Sequence, residues 1–192
     1  MKLHFMGNYH GNSASLPAQI IVDGATPFRE PSEKRMVLVV NIVSSIIFFV
    51  MIILLVVIGN GPSSINIFGF VLALLSIVPH ELLHAICFKE DVYVYLYPSK
   101  MMMFALGPED MSKTRFILMS LLPNMVFGFL PFILFLIKPS LSLLGSMGAM
   151  GISMGAGDYM NVYHALTQVP KGGLLYFYRM NTHWYMPKSR QG

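Results

Sequence analysis

Residues Ser64–Phe88 read SINIFGFVLALLSIVPHELLHAICF, an apolar run with no charged side chain until His-Glu-Leu-Leu-His begins at His80. No other feature restricts the fold of this chain as strongly. The run is longer than the roughly 20 residues a helix needs to cross a bilayer. Ionisable groups at that depth are costly and require partners. On a helix, positions i and i+4 share one face, so His80 and His84 can grip one metal ion from the same side. Glu81 is rotated about 100° from His80. It stands beside such an ion, placed to act as a base on water and not as a ligand.

Three further stretches are long enough to span: Met36–Ile58, Arg115–Ile137 and the glycine-rich Leu141–Leu166. The 192 residues are 55% hydrophobic and only 11% charged, whereas a soluble domain carries about 25% charged residues. The net charge of +4, with no run of five basic residues, reads as loop charge and excludes a nucleic-acid partner. A single cysteine, Cys87, excludes an internal disulfide. Met36–Ile58 is too long for the core of a cleaved signal peptide and begins after a polar segment.

The chain is therefore expected to be an all-α polytopic membrane protein. It divides into a cytoplasmic segment 1–35, a membrane domain 36–166 with spans 36–58, 64–88, 115–137 and 141–166, and an interfacial tail 167–192. Twelve basic residues flank the cytoplasmic ends of these spans, and only Lys138 lies in the other connections. The positive-inside rule then puts both termini and the central loop in the cytoplasm. Span two runs inward, and His80–His84 falls toward its cytoplasmic end.

Zinc takes a third protein ligand and keeps one position open for water. Asp158 lies 17 residues into span four, while His80 and His84 lie 16 and 20 residues into span two. At about 1.5 Å per residue, the three reach similar depth. Apart from Glu81, no other acid lies within a span, and an isolated aspartate there costs about 2.5–3.5 kcal/mol on insertion scales. Gly145, Gly148, Gly151 and Gly155 allow the close helix approach that a short aspartate side chain needs. His164 is the rival third ligand. Pro79, lacking an N–H, is expected to bend or open the helix before His80.

These residues resemble intramembrane zinc metalloproteases of the broad site-2 protease type. More closely, the chain is similar to a small bacterial family of four-pass proteins known as putative zincin peptidases. The shared features are HELLHA at His80–Ala85, Ser-Leu-Leu-Pro at Ser120–Pro123 and Gly157-Asp158. The resemblance covers about residues 64–170. It implies zinc held by His80, His84 and Asp158, with Glu81 catalytic, in a bacterial cytoplasmic membrane. Where site-2 proteases usually have Asn-Pro-Asp-Gly around the late aspartate, this chain has Gly-Asp-Tyr-Met-Asn.

In the central loop, Val92–Tyr97 alternates tyrosine with aliphatic residues, a strand pattern. Pro98-Ser99-Lys100 can turn it into a second strand, Met101–Leu106, giving a small cytoplasmic hairpin between spans two and three. Such a hairpin caps the bundle at the interface or aligns an extended substrate by strand addition. The methionine run Met101–Met103 reads as apolar packing. Asn124, in span three beside Ser120 and Pro123, is a candidate oxyanion donor or an interhelical bonding residue. Asn161, one turn from Asp158, is a candidate to orient that carboxylate. Ala18–Val22 is a possible short strand. The aromatic tail with Arg179, Lys188 and Arg190 suits an anionic leaflet surface.

The resulting expectation is a zinc metallopeptidase embedded in the lipid bilayer and acting on membrane proteins or peptides. A metal-ion or proton carrier built on the same cluster is one alternative, and a catalytically inactive zincin-like partner is the other. The sequence does not specify an oligomeric state.

Overall fold

The computed structural model describes residues 2–17, 21–100 and 102–187. Met101, most of the expected Ala18–Val22 strand, Lys188 and Arg190 lie outside them. The expected all-α fold is corrected: the chain is mixed α/β, with two sheets among the described residues. The four expected spans are corrected as well. Among the described residues two helices, Lys34–Ile58 and Lys113–Ile137, are long and apolar enough to cross a membrane. A third qualifies only if Pro62–Leu75 and Ile77–Ala85, bent by 42°, count as one.

The chain forms two compact units. The first comprises Met1–Arg29, Glu81–Met119 and Val162–Gly192; the second comprises Glu30–His80 and Ser120–Asn161.

Sheets dominate the first unit. Strand β1 (Leu3–Asn8) pairs in parallel with β3 (Val92–Tyr97), which pairs antiparallel with β4 (Met102–Leu106). The β3–β4 pair is the expected hairpin, but β1 extends it to three strands. In a second sheet, β2 (Thr26–Pro27), β7 (Asn181–Tyr185), β6 (Leu174–Tyr178) and β5 (Met111–Ser112) are neighbours in that order. The tail thus folds as a hairpin whose turn holds Arg179 at φ 56°. Phe88, Val92, Val94, Met111, Phe116 and Leu175 share one apolar core. Glu109, 7% exposed, accepts the backbone N–H groups of Lys89 and Glu90 at 2.8 and 2.9 Å and pairs with Arg115. Arg115 also donates to the Cys87 carbonyl, just past the end of α3 (Ile77–Ala85). Lys113 Nζ donates to the Val169 carbonyl at 2.7 Å, near the end of α7 (Ala156–Gln168). Here a cation meets orphan carbonyls at a helix C-terminus.

Helices dominate the second unit. The long α1 (Glu33–Ile58) exposes Ile46, Phe49, Ile53 and Val57. The expected break near Pro79 falls at Ser76, between α2 (Ile67–Leu75) and α3. The reason is geometric: a proline ring clashes with the carbonyl four residues back, here that of Leu75. Helices α4 (Lys113–Asn124) and α5 (Leu130–Ile137) are joined by a π-helical turn, Met125–Phe129. The expected fourth span is two helices, α6 (Ser142–Met154) and α7, broken at Gly155. At 13 residues, α6 is shorter than the roughly 20 residues a span needs. Glycines set how closely it packs. A Cβ on Gly151 would lie 2.4 Å from the Phe127 carbonyl oxygen, and one on Gly148 would lie 2.5 Å from the Phe132 nitrogen.

Candidate metal centre

Helix α3 carries the first part of the site. It is continuous from Ile77 to Ala85, so its own pitch sets the spacing of its polar side chains. One ligand atom from each of His80, Glu81 and His84 lies within 4.8 Å of the other two. All three side chains are half-buried. Glu81 points from a different face, and its longer side chain still brings the carboxylate back beside the imidazoles.

The tautomer of His84 follows from its neighbour. His84 Nδ1 lies 2.9 Å from the carbonyl oxygen of Met119. A carbonyl only accepts, so Nδ1 carries the proton and Nε2 the lone pair. That carbonyl is available because of Pro123. A helical carbonyl normally accepts the N–H four residues on, and proline has none. Metal-ligating histidines commonly anchor their second nitrogen to a carbonyl in this manner.

Helix α7 brings Asp158 to His80. His80 Nε2 and Asp158 Oδ2 are 3.2 Å apart, with side chains 20% and 15% exposed. Two donors on one tetrahedral zinc ion lie about 3.4 Å apart, given bonds of about 2.0–2.2 Å. The pair is therefore spaced as two ligands of one ion would be. Asp158 Oδ2 also accepts a 2.7 Å hydrogen bond from Asn124 Nδ2. Asn124 ends α4 and is fully buried. His80, Glu81 and His84 on one helix, and Asp158 beside His80, offer the nitrogen and oxygen donor types that suit zinc.

Other candidates lie elsewhere. His164 is 4% exposed, with its ring 5.6 Å from that of Phe28. It follows Asp158 by six residues, which turns it to a different face of α7. His4 pairs with Asp91 at 3.1 Å, and His183 packs against Tyr176 and Tyr178. Asn161 is half-buried on α7, but the amide bonded to Asp158 belongs to Asn124. The Asn124–Asp158 contact joins residues 34 positions apart. Its one trace in the sequence is an asparagine inside an apolar span.

A family profile described as "putative zincin peptidase" matches residues 73–174, more than half of the chain. The matched segment contains His80, Glu81, His84, Asn124 and Asp158. Neither the curated proteins nor the solved structures contain a match. The chain belongs to the family of putative zincin peptidases, whose name implies zinc-dependent peptide hydrolysis.

Proposed function

We propose that the chain is a membrane-embedded zinc metallopeptidase that hydrolyses peptide bonds in membrane or membrane-proximal substrates. The observation that carries this reading is the 3.2 Å approach of Asp158 to His80, on a helix whose next turn adds His84. The two long apolar helices support the membrane setting. His80, His84 and Asp158 are the residues that would hold the ion. When bound, zinc supplies Lewis acidity at the scissile carbonyl and lowers the pKa of coordinated water toward about 7.

The remaining work belongs to the chain. Glu81 accepts a proton from the attacking water and returns it to the departing amine. Water is thereby added across the C–N bond, its hydroxyl to the carbonyl carbon and its proton to nitrogen. His84 is held in one tautomer by Met119. Asn124 fits the orientation of Asp158 better than an oxyanion role, because its Nδ2 already donates to that carboxylate. Strand β4 lies at one edge of its sheet, where an extended peptide can add as a further strand.

The test uses full-length protein purified in detergent, with zinc content and hydrolysis of an unfolded protein substrate as readouts. Glu81→Gln is expected to keep zinc and lose hydrolysis by at least the roughly 10²–10⁴-fold typical of general acid–base groups. His80→Ala and His84→Ala are expected to lose zinc. Undiminished hydrolysis by Glu81→Gln would overturn the role of Glu81.

A further inference from the structure

Asn124 is fully buried, and its Oδ1 has no hydrogen-bond partner. Few buried side-chain oxygens are left this way, and each calls for a reason. The reason lies across the helix packing, at Gly155. A Cβ built on Gly155 would stand 1.9 Å from Asn124 Oδ1, 2.5 Å from its Cγ and 2.9 Å from its Nδ2. All three nearest atoms belong to one side chain, and no residue but glycine leaves them room. A hydrogen on the Gly155 Cα takes the direction of the missing Cβ, so a C–H group faces Oδ1 as a weak donor. Gly155 also ends α6, three residues before Asp158. The amide is thus clamped with its oxygen toward Gly155, one Nδ2 proton toward the Asp158 carboxylate and the other toward the Ser120 carbonyl at 3.5 Å.

We infer that Asn124 and Gly155 form one positioning device that holds the Asp158 carboxylate toward His80 and so sets metal affinity. The inference rests on the proposed reading of Asp158 as a zinc ligand. Neither residue touches the ion. Asn124 acts through its hydrogen bond to Oδ2, and Gly155 acts by leaving Asn124 the space to make it.

The test is a zinc titration of the full-length protein in detergent against a chromophoric chelator, with helix content measured in parallel. Asn124→Ala and Asn124→Leu are both expected to weaken zinc binding by about 10- to 100-fold, the usual loss for an orienting partner. The leucine variant keeps the branched shape, leaves no cavity and removes the donor, so a loss shared with the alanine variant reports the hydrogen bond and not a cavity. Gly155→Ala is expected to show a similar loss. In the double variant Asn124→Ala/Gly155→Ala, the glycine substitution is expected to add nothing, because the atoms it would strike are gone. Additive losses would overturn the role of Gly155. Wild-type affinity in both Asn124 variants would overturn the device while leaving Asp158 as a ligand, provided Asp158→Ala loses zinc. Full zinc binding by Asp158→Ala would instead overturn the underlying reading.

Discussion

In the sheet-bearing unit the buried carboxylate of Glu109 is saturated: two backbone N–H groups and the Arg115 guanidinium surround it. In the helical unit the buried amide of Asn124 donates to Asp158 and keeps an oxygen without a conventional partner. A fully paired buried network stiffens the fold around it. An incompletely paired one is retained where it serves something else, here the aim of a carboxylate at His80. The two units also pack differently. Large side chains such as Phe88, Phe116 and Leu175 fill the first core, whereas glycines bring the backbones of the second nearly into contact.

The contrast can be broken where it is sharpest. Arg115→Ala strands the buried Glu109 carboxylate and is expected to destabilise the sheet-bearing unit by about 3 kcal/mol or more. Limited proteolysis and denaturant melts would show cleavage concentrated in residues 81–119; unchanged stability would mean the backbone N–H groups alone suffice. The helical unit is tested by two glycines. Gly151→Ala drives a methyl into the Phe127 carbonyl and is expected to cost about 1–3 kcal/mol, whereas nothing lies within 4 Å of a Cβ on Gly157. Gly157→Ala is then expected to be neutral, or stabilising by up to about 1 kcal/mol through helix propensity. Equal effects in thermal melts would contradict packing through glycine contact.

The smallest effect concerns β1. The hydrogen bond from His4, followed by that from the Lys2 backbone N–H, holds the exposed Asp91 carboxyl below its usual range. A folded pKa depressed below the unfolded value contributes stability above the unfolded pKa, about 3.9. The contribution is lost as pH falls from there through the folded value. Protection of the β1 amides, taken relative to their intrinsic base-catalysed exchange rates, should therefore fall at acidic pH in the wild type, and Asp91→Asn should flatten that dependence. An identical pH profile in the variant would mean that the His4–Asp91 pair contributes nothing to the stability of β1.

How much of this was legible in the sequence depended on the distance between the residues involved. His80, Glu81 and His84 follow from helical spacing within one turn, and depth matching along two apolar stretches pointed to Asp158. Asn161, one turn away, is legible as a candidate orienting partner. Asn124 is legible as an interhelical bonding residue, but only packing between helices names Asp158 as its partner. The β3–β4 hairpin is local and legible, whereas the third strand of its sheet is not, since β1 gains its partner 89 residues later in the pairing of Leu3 with Val92. Hydropathy counts residues and does not register a break such as Gly155, so it counted α6 and α7 as one span. Leu174–Tyr178, rich in aromatic and aliphatic side chains, was read as a surface segment although it forms the strand β6.

Binding of one zinc ion by His80, His84 and Asp158 is the proposal on which the chemistry depends. X-ray absorption at the zinc edge of the full-length, zinc-loaded protein tests it most directly. One zinc per chain is expected, with multiple-scattering features of two imidazoles and nitrogen and oxygen donors at about 2.0–2.2 Å. A metal shell without imidazole, or no zinc retained at stoichiometric loading, would contradict it.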